Sequence, residues 1–137
     1  KIEINISGWN IHLTHGSPAS REEHLTLETP DYHLGHLSEM LKADIILCGH
    51  SHQPFARRIR DVWFINPGSV GRPDDGDNRT SYAILELSLN RIDINHYRID
   101  YDVNRAAQAV RSKGLPEEFA QMILRGHDLD TILAQKT

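Results

Sequence analysis

The run Ile45-Ile46-Leu47-Cys48, followed at once by Gly49-His50-Ser51-His52-Gln53-Pro54, sets the tightest limit on the fold. Four consecutive apolar residues suit a short strand covered on both faces, as in the middle of a layered α/β structure. The run stops abruptly at a glycine and two histidines. Two imidazoles one residue apart can face a single site where the backbone curls at a strand end. Functional groups gather at such ends because an open α/β sheet leaves a crevice there. Imidazole suits Zn, Mn, Fe, Co or Ni. A His-x-His by itself also arises by chance, and two surface histidines in a turn are the plain alternative.

The rest of the chain places further elements around this strand. Ile2, Ile4 and Ile6 alternate with polar residues, as do Ile11 and Leu13, and Ser7-Gly8-Trp9 breaks the pattern. That period of two predicts a hairpin of half-buried strands. Thr29-Pro30 reads as a helix N-cap with proline in the first turn. Leu34, Leu37 and Leu41 then share one helical face, and Asp44 closes the helix. Strands are expected over 55–59 and 62–65, and a hairpin over 82–87 and 92–97 turns at Leu89-Asn90. Residues 104–113 read as a helix with Ala106, Ala107 and Val110 on one face and Gly114 as its cap. A second helix starts at Pro116 and a third covers 128–135. The expected class is α/β, with helices gathered at the C-terminal end. The expected division is a domain over 1–100 and a helical extension over 101–137 packed on it.

Two more segments carry chemistry. Thr14-His15-Gly16-Ser17-Pro18 puts a histidine at the exit of a predicted strand. Glycine directly after it lets the chain turn sharply and lets backbone approach an ion or a phosphate. Asn66-Pro67-Gly68-Ser69-Val70-Gly71-Arg72-Pro73 holds two glycines and two prolines in a rigid turn, as a structural loop or as a substrate contact. Arg72 or Arg79 can pair with a phosphate oxygen. The plainer role for either is a solvated loop arginine.

Composition excludes some functions. The 137 residues suffice for one domain, and 39% apolar with 25% charged residues is that of an ordinary globular protein. A net charge of −4 leaves no strong footprint for nucleic acid or an anionic membrane. A phosphorylated small molecule stays open, because a bound metal supplies local positive charge. No apolar run reaches the roughly 18 residues of a membrane span. The single cysteine, Cys48, cannot form an internal disulfide, which favours a reducing, cytoplasmic setting. The start, Lys1-Ile2-Glu3-Ile4-Asn5, lacks methionine and the pattern of a signal peptide, so the natural N-terminus is expected elsewhere.

Together, His15-Gly16, Gly49-His50-Ser51-His52 and Asn66-Pro67-Gly68-Ser69 resemble, in order and spacing, the calcineurin-like metallophosphoesterase family. The likeness is nearest to its small bacterial and archaeal phosphodiesterase branch and covers residues 1 to about 100. It implies part of a four-layer α/β/β/α sandwich with a binuclear site at the sheet edges. It implies that His15 and His50 bind one metal and His52 the other, with Mn, Fe, Zn or Ni as the two ions. Gly16, Asn66, Gly68 and Arg72 then fall at the substrate. Two such metals lower the pKa of bound water and clamp the phosphate oxygens. The implied substrate is a phosphoester or nucleotide-like small molecule.

The sequence also departs from the family pattern. An Asp-x-His, a Gly-Asp and an Asn-His pair precede the His-Gly segment in the family, and none stands among the fourteen residues before His15. No residue of this chain is therefore assigned as catalytic. Asp31-Tyr32-His33 has the letters of an Asp-x-His but lies after His15, and Gly76-Asp77-Asn78 lies in a loop. The chain is read as the C-terminal half of the domain and is expected to be inactive alone. Its expected partner is the missing N-terminal half of the same fold, or a chain that covers the exposed sheet. The alternative reading is a catalytically inactive scaffold of this fold that binds protein partners. The remaining histidines, His12, His24, His33, His36, His96 and His127, read as surface or core-edge imidazoles. Cys48 reads as an inert hydrophobe, and Trp9 and Trp63 as packing residues.

Overall fold

The structure is a computed structural model and describes residues 2–135. Strands β1 (Ile2–Ile6) and β2 (Trp9–Leu13) form the expected antiparallel hairpin, turning at Ser7 and Gly8, both with positive φ. Strand β1 is exposed along its whole length and not half-buried, since nothing among the described residues packs on Ile2, Ile4 and Ile6 closely enough to cover them. Helix α1 spans Asp31–Glu39, and strand β3 spans Ile45–Leu47. Strands β4 (Phe55–Ile59) and β5 (Val62–Asn66) pair antiparallel. The order in this five-stranded sheet is β1-β2-β3-β5-β4. Strand β3 pairs parallel with β2 on one side and with β5 on the other. A central strand between parallel neighbours has both faces covered, which is why an unbroken apolar run fills it.

Two layers flank this sheet. On one face Leu34 and Leu37 of α1 pack with Leu25, Ile46, Cys48, Phe55 and Phe64. On the other face Ile11, Ile45 and Ile65 meet Leu85, Leu87, Ile92 and Ile94. Those four belong to β6 (Thr80–Ser88) and β7 (Arg91–Ile99), which form a two-stranded antiparallel sheet. The indole Nε1 of Trp9 donates to the Ser88 carbonyl at 2.6 Å and ties the two sheets at their far end. The chain then closes with α2 (Val103–Ser112), α3 (Glu117–Arg125) and α4 (Leu129–Ala134). The side chains of Asp102 and Asp128 cap α2 and α4 by accepting from Arg105 N and Thr131 N.

Helix α1 differs from its expected limits. Pro30 occupies the N-cap position without a side-chain cap bond, and the Thr29 hydroxyl accepts from Thr26 N instead. The helix ends at Glu39, so Leu41 packs against the core from outside it. Asp44 accepts from Asn10 N at 2.8 Å and fastens the entry of β3 to β2. No helix among the described residues is long and apolar enough to cross a membrane.

Candidate metal centre at the strand ends

Strands β2, β3 and β5 run parallel, so their C-terminal ends share one edge of the sheet. Each of the three motifs begins at one of those ends. The loops are stitched together by backbone bonds: Thr14 N to Leu47 O at 2.9 Å, Gly49 N to His15 O at 2.8 Å and Cys48 N to Ile65 O at 2.9 Å. The first two fix His15 beside the turn that carries His50.

His15 Nε2 lies 3.0 Å from His50 Nδ1. The two rings meet edge to face with centroids 4.8 Å apart. His50 and His52 both adopt left-handed backbone, with φ of 65° and 57°. Such φ values are uncommon for residues other than glycine and cost on the order of 1–3 kcal/mol each. Ser51 between them is buried; its hydroxyl donates to Leu25 O at 2.6 Å. The strained turn is thus fastened through its middle residue, and the two imidazoles project from either side.

Asn66 is fully buried, and its side chain is spent on the fold. Its amide donates to Gly49 O and to Ser51 Oγ, both at 3.0 Å, and its carbonyl accepts from Gly68 N at 2.9 Å. The Asn66 backbone carbonyl in turn lies 2.8 Å from His96 Nε2. Gly68 has a φ of 84°, and a Cβ there would collide with Ser81 Oγ. At Gly16 a Cβ would lie 2.6 Å from Ser20 O and 2.7 Å from Arg21 O. Both glycines let the loops close over each other.

His52 stands apart from the His15–His50 pair. Its Nδ1 accepts from Arg72 Nε at 3.1 Å and from Arg72 Nη2 at 3.0 Å. The same nitrogen is 3.6 Å from Asp74 Oδ2. Burial, and then the Arg72 charge, push the His52 imidazole below the ordinary histidine value. Burial raises the Asp74 carboxyl despite Arg72 and His52. Both shifts favour the uncharged forms in a half-buried pocket.

Sequence reasoning passed over His24. Its ring stands edge to face on His50, with centroids 4.3 Å apart and planes at 85°. No spacing signal marked it, because it lies in the irregular stretch between β2 and α1. The substitute motifs are engaged elsewhere. Asp31 pairs with Arg57 and His33 with Glu23, while Asp77 pairs with Arg79.

The donors fit a divalent ion in kind and, for one pair, in spacing. Two imidazole nitrogens about 2.1 Å from one ion at a right angle lie about 3.0 Å apart. The His15–His50 separation suits that arrangement as well as a shared proton. Number is the shortfall: among the described residues no group of three or more His, Cys, Asp or Glu side chains is placed to hold an ion.

Comparison with known proteins agrees with this geometry. The chain is 32% identical over 143 residues to an uncharacterized protein of Methanocaldococcus jannaschii, covering 91% of the chain and 55% of that protein. It is 30% identical over 103 residues to a probable metallophosphoesterase of Methanothermobacter thermautotrophicus, covering 75% and 55%. The chain therefore spans about half the length of the curated relatives it matches. A crystal structure of a hypothetical protein from Pyrococcus horikoshii shares the fold, with a TM-score of 0.81 at 16% identity over 93% of the chain and 50% of its own. The metallophosphoesterase of Sphaerobacter thermophilus superposes with a TM-score of 0.73 at 25% identity, over 90% and 57%. The sequence pattern of the calcineurin-like phosphoesterase superfamily domain matches residues 1–90. With the three motifs gathered on one sheet edge, the chain belongs to the calcineurin-like phosphoesterase superfamily.

Proposed function

We propose that this chain contributes His15, His50 and His52 to the two-metal centre of a phosphoester hydrolase, with a phosphodiester or nucleotide-like small molecule as substrate. The observation that carries the reading is the His15–His50 pair, with two imidazole nitrogens 3.0 Å apart on loops from neighbouring parallel strands. Strain in the backbone at His50 and His52 supports it, since such conformations cluster where a site over-determines them. Mn, Fe, Zn and Ni all suit imidazole donors. When bound, the metals supply Lewis acidity and an activated water for attack on phosphorus.

The residues of this chain have separate tasks. His15 and His50 offer Nε2 and Nδ1 to one ion. His52 offers Nε2 to the other once its Nδ1, which faces Arg72, is released to carry the ring proton. Arg72 is half-exposed at the mouth of the site and offers its guanidinium to a phosphate oxygen. Asn66, Gly16 and Gly68 hold the loops in place. The carboxylates that complete both metal shells come from a segment or subunit beyond the described residues, and the chain by itself is inactive. A 340 Å³ cleft beside His15, lined by Leu13, Leu47, Ile65 and Leu85 between the two sheets, is where such a segment packs.

Elemental analysis tests this reading. The purified chain alone should hold well under one equivalent of metal. Once the complementary part of the fold is present, about two equivalents should bind, with hydrolysis of bis(p-nitrophenyl) phosphate. His15→Ala and His50→Ala should remove the same equivalent, and His52→Ala the other. Metal uptake that survives all three substitutions together would sink the proposal. A scaffold with no metal role predicts that survival of fold and partner binding is the only effect of these changes.

A further inference from the structure

Asp74 is a carboxylate out of place for a surface loop. Its side chain is 9% exposed, and Oδ1 has no hydrogen-bond partner. Oδ2 receives Arg72 Nη2 at a long 3.4 Å and lies 3.6 Å from His52 Nδ1. Burying a carboxylate oxygen without a donor is costly, and such a group calls for a partner that arrives in another state.

The loop that presents Asp74 is held on every side. Pro73 before it is fully buried. Gly76 N donates to Gly126 O and Asn78 Nδ2 to Leu124 O, both at 2.8 Å, tying the loop to the end of α3. Arg98 of β7 pairs with Asp75 and reaches the Asp77 and Arg79 carbonyls. The carboxylate is thus fixed beside His52, while Arg72 leaves 48% of its side chain exposed to solvent.

Arg72 and Asp74 make opposite demands on one nitrogen. Arg72 has only donors, so its bonds to His52 Nδ1 require the lone pair there and place the ring proton on Nε2. Asp74 accepts, so it favours the proton on Nδ1 and the lone pair on Nε2. Only the second tautomer can ligate through Nε2, and a carboxylate behind the histidine is the usual way to fix it. We propose that Asp74 is the positioning residue of His52: when Arg72 turns to a phosphoester oxygen, Asp74 takes the Nδ1–H and His52 presents Nε2 to the site. The ring proton relocates through solvent, which reaches the 28% exposed His52 side chain. Arg72 and Asp74 then form a two-position latch that couples substrate contact to the donor state of His52. This inference rests on the proposed metal role of His52.

The test needs no metal. Long-range 1H–15N correlation spectra of the 15N-labelled chain, at a pH where His52 is neutral, report which ring nitrogen carries the proton. The unmodified chain should show the Nε2–H form. Arg72→Ala should convert His52 to Nδ1–H, and adding Asp74→Ala should return it to Nε2–H. Arg72→Ala with Asp74→Asn should keep Nδ1–H, because the amide oxygen still accepts. A merely structural role for Asp74 would leave the tautomer of an Arg72→Ala chain unchanged. Persistence of Nε2–H in Arg72→Ala, or of Nδ1–H after Asp74→Ala, would overturn the inference. Should the double variant fail to fold, the Arg72→Ala spectrum alone decides. Metal uptake is measured separately, so loss of the hydrolase reading and loss of the latch are distinguishable.

Discussion

His52 is held in left-handed backbone by the turn around it, while its ring accepts from Arg72 and lies 3.6 Å from Asp74. Glycine populates that conformation without strain, so the side chain there serves the site rather than the fold. His52→Gly should leave unfolding stability equal to the parent or higher by about 1 kcal/mol, read from urea titration. A loss beyond about 2 kcal/mol would show that the ring is a packing element. Gly68 is the opposite case. Its φ of 84° and the blocked space at Ser81 Oγ should make Gly68→Ala cost more than about 1 kcal/mol. Cys48 gives the pH dependence. Burial lifts its thiol from an ordinary 9.0 up to about 12. The native state holds that proton more tightly than the unfolded chain, so its stabilisation is complete below about pH 9 and is lost as pH rises toward about 12. Ellman's reagent at pH 8 should label Cys48 only after unfolding; rapid labelling of the native chain would contradict its burial.

At the level of the elements, strand β5 links the core to the site. Its Phe64 and Ile65 are wholly buried, facing opposite layers, and its last residue, Asn66, bonds to the turn of Gly49 and Ser51 and to Gly68 of its own loop. Asn66→Ala should cost about 2–3 kcal/mol, because Gly49 O and Ser51 Oγ lose a donor and Gly68 N loses an acceptor inside the fold. Amide exchange of Gly68 should accelerate in the same variant, while exchange of the β1–β2 hairpin should not. Uniform acceleration across both would mean that Asn66 supports global stability and not the loops in particular.

Across the whole molecule, the helical end of the chain reaches the site through the loop of residues 72–79. Gly126 caps α3 with a φ of 66°, and a Cβ there would sit 2.7 Å from the Asp77 carbonyl carbon. The His127 ring lies over Gly76 on the far side of the same contact. Gly126→Ala should therefore push the loop outward, raise amide exchange at residues 74–79 and weaken the Arg72–His52 contact. Unchanged exchange in the loop would show that the helices and the loop are independent.

Local order was legible in the sequence wherever one periodicity dominated. The alternation of Ile2, Ile4 and Ile6, the apolar run at Ile45 and the hairpin at Leu89-Asn90 each matched an element; burial on both faces imposes the run at Ile45, whereas β1 forms its strand with Ile2, Ile4 and Ile6 exposed. The helix after Thr29 was found with its ends misplaced, because caps depend on where side chains find partners, and Thr29 found Thr26. The three site motifs were legible because glycine, proline and histidine are concentrated at strand exits. Their convergence was not, since it follows from β2, β3 and β5 running parallel in one sheet. The same holds for His24 against His50, for Asn66 turned inward to fasten the loops, and for Asp74 buried behind His52. The sequence by itself determined the elements, the family resemblance and the kinds of donor available. Only the tertiary structure decided which donors meet, because contacts between residues distant in the chain are set by strand order and layer packing, and these leave no local trace.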